Sequence, residues 1–357
     1  MGYFFAGVGV LAKGPVALGL IGLIMLLYLV FDRKLNISTL KQLQIPLGGL
    51  LFLLIAVPWY VFVGQATDGE WTNEFFFKQN LSRFSSPMEG HGGSFWLTWL
   101  FVLLGLFPFG VFLPQSLHWS WKLRQQPFLK LCLIAASVIV GFFTLSSTKL
   151  PNYTVPAYPF LSVVLGYFLY TCIQETSFFQ RYRLNWSLSL GLFISFILLI
   201  GGYFALQDYP LTKNIAAATW VFLPLVLGFT IGLFQQKWWI QSIASGTLCS
   251  SLLIFYILLP KIMHQNPVEH SKELLANRII IAYQRFNPAY AFQMQRHIPV
   301  AEDISSLKVF LEEHPESCIV TVAKYGQELL PLQLDTLFIE QDLFEGTTTL
   351  ILFQEKH

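Results

Sequence analysis

Lys149 stands at the head of a corner, Leu145 to Pro159 (LSSTKLPNYTVPAYP), where an ammonium lies between long apolar runs and is followed by Pro151, Pro156 and Pro159. Proline lacks a backbone donor and breaks helices, so the stretch reads as a turn or re-entrant corner between two spans. A cation held there is costly in a bilayer, and the default reading is a functional one. Lys13, Arg83 and His91 share that chemistry, with Asn80, Tyr153 and Tyr158 as polar neighbours. Arg offers a planar fork for phosphate oxygens and Lys a point charge, so the set suits an anionic head group carried on a lipid chain. The plainer reading is interfacial lysines that snorkel to water, with tyrosines in an aromatic belt. It fits Lys78 and Lys213 best.

The elements that must position these residues are membrane spans. The 357 residues are 54% hydrophobic and 12% charged, with mean hydropathy +0.56. A soluble domain carries about 25% charged residues. The fold expected is a polytopic α-helical membrane protein of about eight transmembrane helices, followed by a small C-terminal α/β domain. Eight apolar runs carry that expectation: Gly14 to Phe31, Ile45 to Gly64, Phe95 to Leu117, Leu131 to Leu145, Val155 to Ile173, Trp186 to Leu206, Ala216 to Phe234 and Trp238 to Leu259. The last two read either as spans or as a helical hairpin. Pro15 favours a helix start, which would set Lys13 at a helix N-terminus, where the dipole favours an anion. Between the second and third runs, Trp71, Phe75, Phe76, Leu81 and Phe84 interleave with polar residues, the pattern of an amphipathic helix lying along the interface. The interfacial helix and the loop after it take up about residues 65–94.

Charge divides the chain at about residue 260. Residues 1–260, the transmembrane region, hold 14 Lys/Arg and 7 Asp/Glu, while the tail 261–357 holds 8 and 13. Among the short loops, Arg33, Lys34, Lys41, Lys122, Arg124, Lys130, Arg181, Arg183 and Lys237 fall on one side. Lys78, Arg83, Lys149 and Lys213 fall on the other, with Lys13. By the positive-inside rule the first set is cytoplasmic. The interfacial segment, His91, the Lys149 corner and the tail then face outward, which places the protein in the inner (plasma) membrane with an extracytoplasmic C-terminal domain. Outward acids are Asp68, Glu70, Glu74, Glu89 and Asp208. A glycosyl or acyl transfer onto a hydroxyl needs a general base, and spacing singles out none of the five.

In the tail, Arg278 to Tyr283, Cys318 to Val322 and Leu350 to Phe353 read as strands. Ala289 to Gln295, Ile304 to Glu313 and Ala323 to Leu330 read as helices, and the alternation indicates a small α/β domain. Cys132, Cys172, Cys249 and Cys318 form no CxxC or His/Cys pattern, so no metal site or cofactor is read from them. Nothing in the chain points to a nucleic-acid partner.

Four motifs follow one another in order: Leu11-Ala12-Lys13-Gly14-Pro15; Pro58-Trp59-Tyr60; Phe75-Phe76 with Asn80, Arg83, Phe84 and His91; and Ser146 with Lys149-Leu150-Pro151-Asn152-Tyr153. Together they resemble the aminoarabinose-transferase-like branch of the protein O-mannosyltransferase family, the bacterial GT-C glycosyltransferases of family 39. The likeness covers about residues 1–170 well, and the rest by layout. It implies an inverting enzyme that moves a sugar from a polyprenyl-phosphate donor to a lipid, glycan or protein acceptor at the outer face of the membrane, in cell-envelope glycan biosynthesis. In that pattern Lys149 and Tyr153 border the donor cavity, Arg83 and His91 lie on the segment covering it, and cations offset the developing phosphate charge. The family's acidic residue belongs to the first external loop, after its first transmembrane helix. No such motif precedes Lys13, so an N-terminally truncated member is expected, holding the donor-side cations without the base. Two other readings stand beside this one. A lipid-linked-glycan transporter or flippase would also gather cations, although it would show repeated halves and midplane charges. A non-catalytic membrane-anchored partner would account for the missing acid.

Overall fold

The computed structural model describes all residues except 87–91, Thr176, 208–211, Phe286, 343–346 and 354–357, and all side chains in the remainder except those of Gln79, Leu81, Arg83 and Asn214. His91, Glu89 and Asp208 therefore lie outside the described residues. The chain divides into two compact units, Met1–Gly191 and Leu192–His357.

All eight expected apolar runs are helical. Six helices are long and apolar enough to cross a membrane: Ile45–Ala66, Pro127–Leu145, Pro151–Gln174, Leu184–Gln207, Ala217–Phe234 and Gln236–Met263. A seventh crossing results if Phe95–Gly105 and Phe109–Lys122 count as one, although they meet at 115°. The run expected to be a single straight span is thus broken, where Pro108 removes a backbone donor. Pro15–Phe31 is apolar but has only 17 residues, about 25 Å at 1.5 Å per residue.

In the first unit the best-buried membrane helix is Pro127–Leu145, with 56% of its apolar window inside the protein. Its Ala136, Ile139, Val140 and Phe143 form one core with Val102, Leu113, Ala157 and Leu161, and Val16, Leu20 and Ile24 pack against that core. Small and branched side chains on one helix face allow this close packing without lipid contact. The residues before Pro15 form a helix of their own, Gly2–Lys13, which packs against Ile45–Ala66. Lys13 therefore closes that helix and precedes the next across Gly14, a correction to its expected place at a helix N-terminus. Gly14 makes the junction possible: its φ of 72° and ψ of −164° belong to a region that essentially only glycine occupies.

In the second unit Ala217–Phe234 and Gln236–Met263 form a tight helical hairpin. A Cβ on Gly228 would meet the Ser242 carbonyl at 2.6 Å, and one on Gly246 the Pro224 carbonyl at 2.5 Å. Glycines on both helices let the backbones touch. The tail carries a five-stranded sheet of order β2-β1-β3-β5-β4, with β1 Ile280–Tyr283, β2 Val300–Ala301, β3 Cys318–Val322, β4 Asp335–Gln341 and β5 Thr348–Phe353. β1 pairs in parallel with β2 and β3, while β5 pairs antiparallel with β3 and β4. Alternation along β1 sends Ile280 and Ala282 into one core with Tyr290 and Ile351, and Ile281 and Tyr283 into another with Leu307 and Leu350. Strands buried on both faces read as continuous apolar runs, which is why β1 and β3 stand out in the sequence. The sequence reading missed β2, the edge strand β4 and the Pro267–Leu275 helix. Of the last, the Asn266 cap, whose side chain accepts from the Val268 amide at 3.0 Å, was the available signal.

Candidate functional site

The described residues of the four motifs converge at one end of the first unit. Tyr60, from Pro58-Trp59-Tyr60, donates its hydroxyl to the Val10 carbonyl at 2.7 Å and so fixes the end of the Gly2–Lys13 helix. Its ring lies 5.1 Å from Phe76 and 5.9 Å from Phe75, and Phe75 stacks on Trp71 at 4.8 Å. These rings hold the interfacial segment against the helix pair. The segment takes the expected helical form with an unexpected pitch: Glu74–Ser82 winds as nine residues of π-helix. Widened turns of this kind occur mostly as single-turn insertions at functional sites. Asn80 turns its amide nitrogen back to the Phe75 carbonyl at 2.7 Å.

The end of this segment is pinned to the proline corner. The Ser147 amide donates to the Phe84 carbonyl at 2.9 Å, the Ser147 hydroxyl to Ser85 O at 3.1 Å, and the Thr148 hydroxyl to Ser86 O at 3.2 Å. Between these elements opens a cavity of about 310 Å³ lined by Lys13, Asn80, Ser146 and Tyr153 and by the rings of Phe75, Phe84, Phe142 and Phe143, with Ala12 and Val16 beside them. The Lys13 ammonium lies over the Tyr153 ring, 5.4 Å from its centroid. Among the described residues, no carboxylate lines this space.

The expected site residues separate into groups. Lys13, Asn80 and Tyr153 share the cavity. Lys149 is buried beside it, only 7% exposed, and its ammonium donates to the carbonyls of Phe143 at 3.1 Å and Thr144 at 2.5 Å. It therefore caps the C-terminal end of Pro127–Leu145. Burial pulls its pKa below the ordinary lysine value. Tyr158 turns away from the cavity: its hydroxyl donates to Phe101 O at 3.1 Å and lies 2.8 Å from the Thr154 hydroxyl, tying the corner to Phe95–Gly105. Arg83 opens the Arg83–Ser85 turn next to the lining residue Phe84. Lys78 pairs on the surface with Glu74 at 2.9 Å, which agrees with the plainer reading of that residue. The ring of Phe142 and the side chain of Val16 were not singled out from the sequence, since an apolar residue within an apolar run carries no mark of what it faces.

No family model matches the chain. Known relatives do match it. It is 23% identical over 294 residues to the undecaprenyl phosphate-alpha-4-amino-4-deoxy-L-arabinose arabinosyl transferase of Photorhabdus laumondii subsp. laumondii, covering 77% of this chain and 51% of the relative. It is 26% identical over 266 residues to the transferase of the same name from Pseudomonas paraeruginosa, covering 74% and 47%. The crystal structure of ArnT from Cupriavidus metallidurans bound to undecaprenyl phosphate superposes with a TM-score of 0.69 at 20% identity, over 98% of this chain and 68% of that one. The chain has the fold of a GT-C membrane glycosyltransferase. The resemblance read from the four motifs is borne out by these relatives. The chain spans about half the length of the curated relatives it matches.

Proposed function

We propose that this chain is a glycosyltransferase, or the donor-binding part of one, and that it takes a sugar from a polyprenyl-phosphate carrier. The observation that carries the reading is the makeup of the 310 Å³ cavity: one ammonium, three polar groups and an aromatic wall, with no carboxylate among the described lining residues. A lipid phosphate needs both parts, a cation for the head and apolar wall for the first isoprene units. Three helix ends act on the same space, that of Gly2–Lys13 among them, whose negative pole the Lys13 ammonium in its last turn offsets. Val16 lies in the first turn of Pro15–Phe31, so the positive end of that helix dipole faces the phosphate position. Pro127–Leu145 ends there with its negative pole, which would repel a phosphate, and the Lys149 ammonium offsets it. In this reading Lys13 and Tyr153 meet the donor, Lys149 positions and balances, and Arg83 and His91 belong to the covering segment. A developing phosphate charge on the leaving carrier is stabilised by these fixed cations and dipoles.

The relatives' names supply the first donor to try, undecaprenyl-phosphate-linked 4-amino-4-deoxy-arabinose, with a lipid, glycan or protein hydroxyl as acceptor. The general base is not assigned to any residue of this chain. The proposed address is the inner membrane, with the cavity and the domain of residues 261–357 on its outer face. The transporter reading gains no support, because the cations stand at helix ends and not at mid-span.

The test is binding of undecaprenyl phosphate to the whole chain in detergent micelles, with undecaprenol as the uncharged control. Lys13→Gln is expected to weaken the phosphate form about tenfold, the worth of one charged hydrogen bond, and to leave the alcohol unchanged. Equal weakening of both, or of neither, overturns the assignment.

A further inference from the structure

The helices that meet at the first cavity part company with it at their other ends. Pro15–Phe31 leaves Lys13 behind and finishes at Phe31, while Pro127–Leu145 begins beside Lys130 and finishes at the first cavity. A second cavity of about 250 Å³ opens at those far ends, lined by Phe31, Trp121, Arg124, Gln125, Lys130 and Leu133. Seventeen residues of helix put about 25 Å between the two, so they serve opposite faces of the membrane.

Its chemistry is that of a boundary between water and acyl chains. Arg124 lies over the Trp121 indole at 5.0 Å and donates one guanidinium hydrogen to the Trp121 carbonyl at 2.8 Å. That bond fixes the guanidinium beside the cavity and leaves further donors of the fork for another acceptor. Lys130 and Lys34 both pair with Asp32, each at 2.6 Å. The wall itself carries Arg124 and Lys130, and Asp32, outside the lining, is shared between Lys130 and Lys34, so the wall is net positive. The Pro127–Leu145 helix begins there with no side-chain cap, so its first amides and its positive pole add to the same field. Of the lining rings, Phe31 is 66% exposed and Trp121 62%. A water-soluble anion has no use for such a rim. A lipid head group meets the cations while its acyl chains lie on the rings.

We propose that this cavity holds the head group of an anionic phospholipid from the leaflet at that face. The phosphodiester lies between Arg124, Lys130 and the start of Pro127–Leu145, with its glycerol and acyl chains against Trp121, Phe31 and Leu133. The site is independent of what the first cavity binds. It sits among the nine loop cations that mark the cytoplasmic side, where anionic lipids concentrate.

The experiment is native mass spectrometry of the whole chain in micelles, with phosphatidylglycerol and phosphatidylcholine supplied in equal amounts. Phosphatidylglycerol is expected to bind preferentially. Arg124→Gln should weaken it about fivefold, the usual worth of one basic residue near a lipid surface, and leave phosphatidylcholine unchanged. Arg124→Lys, which keeps the charge without the fork, should recover most of that loss. Lys237→Gln, which removes an exposed loop cation stacked on Trp238 at 5.5 Å, should change nothing. Equal binding of the two lipids overturns the site, as does an equal loss in Arg124→Gln and Lys237→Gln. Displacement of the lipid by millimolar inorganic phosphate would show a plain anion site and overturn it too.

Discussion

Lys149 gives its protons to the last carbonyls of the helix it follows, and this decides what its removal does. Lys149→Met leaves the Phe143 and Thr144 carbonyls without their charged donor in a buried corner. The expected loss of stability is about 1.5–3 kcal/mol, that of a hydrogen bond to a charged group. The pH dependence has a definite sign. Burial holds the folded-state pKa of Lys149 below its ordinary value of 10.5, so between the two values the unfolded chain carries more protons. Stability therefore rises with pH through that window, and the gain is lost again as pH falls through the folded value. Thermal unfolding followed from about pH 8 to about pH 11 should show the rise in the native chain and not in Lys149→Met. Parallel curves would mean the ammonium is not confined as described. The sequence marked Lys149 as an ammonium in an apolar corner, and that much was legible. Its partners were not: a lysine four residues past the end of a helix can turn back to cap it or forward into a cavity, and both leave the same sequence. Lys13 was legible as a cation beside Gly14-Pro15, but the apolar run before it concealed a separate helix, because Gly2 to Ala12 has no polar residue except Tyr3 to mark a boundary.

At the scale of elements, the junction at Gly14 sets the geometry of the first cavity. Its backbone lies where a side chain is strained, and a Cβ there would also meet Asn80 Oδ1 at 3.0 Å and Phe75 Cε1 at 3.1 Å. Gly14→Ala is expected to cost about 1–3 kcal/mol from the backbone alone, read as a lowered unfolding midpoint. Combining Gly14→Ala with both Asn80→Ala and Phe75→Ala separates the two causes: the triple variant should stay destabilised relative to the Asn80→Ala, Phe75→Ala pair. Full recovery would make crowding the cause and refute the backbone account. Helix existence was readable throughout from apolar runs, and β1 and β3 from their continuous burial. Pitch and bend were not. The amphipathic pattern of residues 71–84 fits a π-helix as well as an α-helix. The break near Pro108 lies inside a run whose composition continues unaltered on both sides. β4 escaped notice because an edge strand with exposed Asp335, Thr336 and Gln341 has no buried face to impose alternation.

At the scale of the whole molecule, sidedness is the property on which both cavities depend. From the Lys149 corner onward four helices, Pro151–Gln174, Leu184–Gln207, Ala217–Phe234 and Gln236–Met263, each meet the length and hydropathy of a crossing. An even number of crossings returns the chain to the face it left, so the α/β tail should share a side with Ser147 and oppose Gln125. This parity does not depend on how the bent pair Phe95–Gly105 and Phe109–Lys122 is counted, because both helices precede the corner. The loop cations agree, since Arg181, Arg183 and Lys237 fall on the side of Gln125 and only Lys213 on the other. Single cysteines can read it directly. Native Cys132, Cys172 and Cys318 are buried and Cys249 lies within the Gln236–Met263 helix, so the background is low. Val309→Cys, at a position 58% exposed on the tail, should react with a membrane-impermeant thiol reagent in intact cells. Ser147→Cys should do the same, and Gln125→Cys should react only after the membrane is opened. If Val309→Cys is protected in intact cells while Ser147→Cys reacts, one of the four helices does not cross. If the pattern is inverted throughout, the loop charges have been read on the wrong side, and the first cavity opens to the cytoplasm, where a carrier-linked donor would have to be reached from the inner leaflet.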